Sequence, residues 1–160
     1  MRRLSPAVAA CIALVSRPGA SGTAVGQQQP VPAQGCSIET INGRAWPDSL
    51  TKVAADQQIV LAGWAVDPRA HSVPLNLQLR FAPDAGVPVD VPVRYRIIRP
   101  DLMAMWRNDA YLIAGFRVTA APHTLAPGTW RLSLASRTGD TPFLCDDKRA
   151  IEVIPAARSR

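Results

Sequence analysis

Leu75-Asn-Leu-Gln-Leu-Arg-Phe81 and, after a turn rich in Pro, Asp and Gly, Val89-Asp-Val-Pro-Val-Arg-Tyr-Arg-Ile97 alternate apolar and polar side chains without a break. A period of two is the signature of an extended strand with one buried and one wet face. Two such runs joined by a short turn predict neighbouring antiparallel strands. Leu75, Leu77, Leu79 and Phe81 are expected on the inner face with Val89, Val91, Val93, Tyr95 and Ile97. Pro92 has no N–H to give to a ladder, so it places the second strand at an edge or a bulge.

Outward from this pair the same texture continues. Val60-Leu-Ala-Gly-Trp-Ala-Val66 is echoed by Leu112-Ile-Ala-Gly-Phe-Arg-Val118. Both runs are too short for an ordinary helix, and each carries a glycine that a strand tolerates only where something large lies against bare backbone. They predict two packed strands, with an aromatic ring flat on Gly63 and on Gly115 and with Trp64 and Phe116 in the core. Ser37–Ile41 is a short strand before an Asn42-Gly43 turn, and Leu50–Val53 another. Pro127-Gly128 feeds a strand burying Trp130, Leu132 and Leu134, and Thr141–Cys145 and Ala150–Ile154 close the set. Pro100–Asn108 is the one helical stretch, with Pro100 at its first position and Leu102, Met105 and Trp106 on one face. Seven to nine strands with a single short helix predict an all-β fold, an immunoglobulin-like antiparallel β-sandwich.

The 160 residues provide for one such domain, taken as 36–155. Arg2 and Arg3 precede an apolar stretch of about ten residues and then small residues, the order of a secretory signal peptide over 1–24. That stretch is far short of the roughly 20 residues of a membrane-spanning helix. Val8-Ala-Ala-Cys11 has the form of a lipoprotein acceptor site, but the apolar run continues beyond it, which argues against lipidation. Residues 25–35, rich in Gly, Gln and Pro, read as a flexible linker, and 156–160 as a disordered tail. The expected location is therefore the bacterial periplasm or the exterior, with no transmembrane segment in the mature chain.

The net charge of +6 shrinks under the same reading. Loss of Arg2, Arg3 and Arg17 leaves fifteen bases against twelve acids, or +3, which gives little reason to expect a nucleic-acid partner. Cys11 departs too, leaving Cys36 and Cys145 as a predicted disulfide between the two ends of the domain.

Catalytic and cofactor patterns are missing from the sequence. His71 and His123 have no metal-ligand spacing and read as solvated loop histidines. There is neither a GxSxG elbow nor a phosphate-binding glycine loop. Asp140, Asp146 and Asp147 lie near the closing turns, where clustered carboxylates can bind calcium; a charged, solvated turn is the simpler reading. No cofactor and no metal are expected.

Binding is the better-supported class. Arg80, Arg94 and Arg96 fall in the polar phase of the alternating pair and are expected to share a face suited to carboxylate or phosphate groups. Trp46 and Trp106 are the two tryptophans outside the expected core, and an exposed indole is a platform for a sugar ring.

Cys36, Asn42-Gly43, Gly63-Trp64-Ala65, Arg99-Pro100-Asp101, Ala114-Gly115-Phe116 and Leu125-Ala-Pro-Gly128 together resemble a bacterial extracytoplasmic β-sandwich module. Such modules occur as accessory domains of cell-envelope and polysaccharide-related proteins. The resemblance implies a non-catalytic binding or accessory role with a glycan or protein partner at the envelope. A structural or protein-interaction subunit using a sheet edge is the second reading, and a hydrolase assembled from distant Asp, His and Ser the third.

Overall fold

The alternating run that begins at Val89 is divided between two sheets. In a computed structural model, described for residues 35–47, 49–136 and 142–156, the first sheet runs in the order β2 (Arg44–Ala45), β1 (Cys36–Ile41), β4 (Ile59–Ala65), β8 (Gly115–Ala120), β7 (Tyr95–Ile97). The second runs β3 (Thr51–Ala54), β10 (Phe143–Ile154), β9 (Gly128–Ser136), β5 (Gln78–Pro83), β6 (Val89–Pro92). The fold is mostly β. These ten strands exceed the expected seven to nine, one of them being only two residues long, and β3 runs parallel to β10, so the second sheet is not purely antiparallel. The expected signal peptide, the linker up to residue 34 and the tail from residue 157 lie outside the described residues, as do Asp140 and Thr141.

The division falls at Val93-Arg94, directly after Pro92. β6 ends one sheet and β7 ends the other, each at an edge, where a missing N–H costs least. Crossing between sheets reverses the phase of the side chains. Val89 and Val91 turn toward the core as expected, but Tyr95 is 72% exposed and Arg96 is half-buried. Leu75 also departs from expectation, at 64% exposed. The next residue, Asn76, has φ +48°, a left-handed conformation that ends extended pairing before β5 begins.

Inner faces of both sheets contribute to one apolar core: Ile38, Leu61, Phe116 and Val118 from the first, Leu79, Phe81, Leu132, Leu134 and Ile151 from the second. The chain joins the sheets covalently through a Cys36–Cys145 disulfide, β1 to β10, with Cα atoms 6.1 Å apart. On the outer face of the first sheet a helix, α1 (Pro100–Trp106), is followed by a 3₁₀ turn (Asp109–Ile113). This turn takes Leu112 and Ile113, so the second half of the echo begins its strand only at Gly115. Val66, Leu102, Tyr111 and Ala114 form a second, smaller cluster, with Trp64 and Trp106 packed against it. Trp64 therefore serves this cluster and not the central core. Ala150–Ile154 and Phe143–Cys145 belong to one strand, β10, which is irregular between Asp146 and Ala150.

The two halves of the echo pair with each other, Gly63 opposite Phe116 and Trp64 opposite Gly115. Each glycine thus faces the other run's aromatic across the ladder, yet the nearest obstacle to a side chain is not a ring. A Cβ on Gly63 would collide with the Ser37 carbonyl and lie 2.9 Å from the Ile38 Cα, because β1 shifts register between Ile38 and Thr40 and presses its backbone inward. A Cβ on Gly115 would lie 2.7 Å from the Ile97 carbonyl oxygen of β7.

Gly63→Val is expected to cost about 3 kcal/mol, since backbone cannot give way as a side-chain end does; a thermal melt matching the parent would refute this. Serine at both Cys36 and Cys145 should lower the chemical unfolding free energy by up to about 4 kcal/mol, the loop closed being 109 residues long. An unchanged denaturation midpoint would contradict that expectation.

Candidate functional site

β2 ends at Ala45 in the first sheet and β3 starts at Thr51 in the second, so Trp46, Pro47, Ser49 and Leu50 lie at the seam between the sheets on the disulfide side. β10 lies beside β3, and its irregular stretch brings residues 147–150 to the same seam. Between them is a shallow pocket of about 360 Å³ lined by Trp46, Pro47, Leu50, Asp147, Lys148 and Arg149, among others.

Its polar centre is Asp147, whose side chain is 6% exposed. Oδ2 accepts the backbone N–H of Ile38 at 2.9 Å and Arg149 Nε–H at 3.0 Å. The first donor exists because the β1 bulge leaves Ile38 N–H to a side chain. The second holds Arg149 so that its guanidinium carbon stands 5.3 Å from the centre of the Trp46 ring, in cation–π range. Among the described residues Asp147 Oδ1 and the two terminal nitrogens of Arg149 have no hydrogen-bond partner. The seam therefore offers an acceptor and a forked donor, held side by side next to an indole. Burial pushes the Asp147 carboxyl above the usual carboxylate value, against the pull of Ile38 N–H and Arg149. Lys148, at φ +57°, is fixed by its own N–H to Asp146 Oδ1 at 2.8 Å and leaves its ammonium exposed.

The other expected site residues are dispersed. Arg80 is paired with its cross-strand neighbour Asp90 through two 2.7 Å hydrogen bonds, which raise its pKa. Arg96 is turned inward on β7 and donates to the Pro74 carbonyl, and burial lowers its pKa. Arg94 is exposed at the crossing between sheets. Arg80 and Arg96 thus sit in different sheets, and the shared arginine face does not form; the sheet crossing is what separates them. Trp106 is taken by packing, edge-on to Trp64 at 6.3 Å and to Tyr111 at 5.3 Å. Only Trp46 of the five reaches the pocket.

Arg149 and the placement of Asp147 at the seam escaped the sequence reading, although Asp146-Asp-Lys-Arg149 interrupts an otherwise strand-like segment directly after Cys145. Arg99 was missed as well. It holds Glu39 of β1 at 2.9 Å and Asp101 of α1 at 2.7 Å, anchoring the helix start to the sheet. The Asp101 bond raises the Arg99 pKa and lowers that of Asp101. His71 and His123 are exposed, at positive φ, in turns. Among the described residues no group of three His, Cys, Asp or Glu is placed to hold a metal, and no helix is long and apolar enough to cross a membrane. No protein-family model, curated protein or solved structure matches the chain.

The Asp147 environment sets a pH dependence. Its carboxyl binds a proton more tightly in the folded state than in the unfolded chain, where the value is near about 4. Stability should then fall as pH rises from that value through the raised folded one, and level off above it. Urea titrations across the acidic range should show this slope in the parent and a flatter one in Asp147→Asn; equal slopes would rule out Asp147 as its source.

Proposed function

We propose that the protein is a non-catalytic binding module exported to the bacterial cell envelope, an immunoglobulin-like sandwich that engages a glycan through the seam pocket. The observation that carries this reading is the Trp46–Arg149–Asp147 cluster. Vicinal sugar hydroxyls each donate and accept, and a fixed carboxylate oxygen beside a guanidinium fork answers both roles. The indole supplies an apolar body for the ring's C–H face. A cross-sheet disulfide suits an oxidising compartment outside the cytoplasm, in keeping with export.

A second reading is a protein-interaction subunit that augments a sheet edge. Its support is β7, a three-residue edge strand with Tyr95 and Ile98 exposed beside it.

The two readings separate in one experiment. Calorimetry of the full chain against neutral and acidic envelope oligosaccharides should show binding that Trp46→Ala weakens about tenfold or more. Binding to none of them, or an affinity indifferent to Trp46, would defeat the glycan reading at this pocket.

A further inference from the structure

A second surface, on the opposite side of the first sheet from the core, has a different chemistry. Three registers align Thr40 of β1, Ala62 of β4, Arg117 of β8 and Tyr95 of β7 in one row across the sheet. Its outward direction is fixed by β8, where Arg117 and Thr119 are exposed while Phe116 and Val118 are buried. Small side chains, Ala62 and Thr40 in the row and Thr119 beside it, make the floor, which is bounded by Trp64 and by Arg99, whose side chain covers Gly115. Tyr95 stands at the edge with 72% of its surface free.

The acids that border the row are held in ion pairs. β4, β7 and β8 contain no Asp or Glu. Glu39 of β1 is bound by Arg99, and Asp90 of β6 by Arg80. Elsewhere Arg131 is paired with Asp84 and Arg149 with Asp147, while Arg44, Arg69 and Arg107 are exposed outside this row. Arg117, and Arg94 at the nearby sheet crossing, are exposed and make no ion pair among the described residues.

The geometry points to this face as a binding site for an acidic polysaccharide, a chain of carboxylate-bearing sugar rings. Adjacent strands are about 4.8 Å apart, the scale of one pyranose, so a ring lying on Tyr95 brings its carboxylate to the Arg117 guanidinium. The guanidinium takes a carboxylate through two parallel hydrogen bonds, and the small Ala62 and Thr40 leave room for the polymer to continue along the row. Arg94 is available to a neighbouring sugar. This site is separate from the seam pocket and does not depend on Trp46.

The test is affinity electrophoresis and calorimetry of the full, disulfide-bonded chain with oligogalacturonate at low ionic strength, against the same oligomer with its carboxyls reduced. The parent is expected to bind the acidic form and not the reduced one, with affinity falling as salt rises. Arg117→Gln and Tyr95→Ala, both at exposed positions that leave the core intact, should each weaken binding about tenfold or more, while Trp46→Ala leaves it unchanged. Wild-type affinity in either variant, equal binding of the reduced oligomer, or capture by phosphatidylglycerol vesicles without oligogalacturonate binding would overturn the assignment. Loss of binding in Trp46→Ala alone would transfer the acidic ligand to the seam pocket and also overturn it.

Discussion

Two successive rungs hold β1 to β10, and most of the molecule is arranged around them. The first is the Cys36–Cys145 bond and the second, two residues along each strand, is the Ile38 N–H held by the Asp147 carboxylate. The strands belong to different sheets, so neither rung is part of a ladder. Each strand is irregular where the second rung forms, β1 between Ile38 and Thr40 and β10 between Asp146 and Ala150. A bulge frees a backbone donor and re-aims a side chain. Here one strand frees the donor and the other aims the acceptor, and the Asp147 carboxylate, drawn into the seam, fixes Arg149 against Trp46. Architecture and candidate chemistry share the same atoms.

That arrangement also accounts for the glycines. The inward shift of β1 that releases Ile38 N–H brings the Ser37 carbonyl over β4, and only a residue without a Cβ fits beneath it. Gly63 is thus the counterpart of the bulge, three strands' geometry meeting at one position. The repeated Ala-Gly-aromatic wording is local pairing between β4 and β8 and no trace of a duplicated domain, since one aromatic faces the core and the other faces α1.

What was legible in the sequence follows from this. Alternation exposed the strands and most of the core, because burial acts residue by residue: Leu77, Leu79, Phe81, Trp130, Leu132 and Leu134 are all where period two puts them. The disulfide was legible once Cys11 was assigned to the expected signal peptide, which leaves an even pair in an exported chain. Alternation says nothing about which sheet a strand joins, so Pro92 could be read as an edge residue while the crossing after it stayed hidden. Tyr95 and Arg96 exchanged faces as a result, and the expected arginine array came apart. The seam pocket was invisible for a related reason. Trp46 and Arg149 are about a hundred residues apart, and only the parallel pairing of β3 with β10 brings them together.

The position of the disulfide also decides how the domain bears tension. Cys36 is the second described residue, and Cys145 lies eleven residues before the last. Force applied through the flanking chain enters at Cys36, passes along the sulfur–sulfur bond and leaves through β10. The 108 residues between the cysteines, both candidate surfaces' tyrosine, tryptophan and Arg117 among them, are outside the load path. Only the stretch after Cys145 can be peeled, and with it go Asp147 and Arg149. Of the two surfaces, the seam pocket is thus the one with residues on the load path, and the Tyr95 face has none.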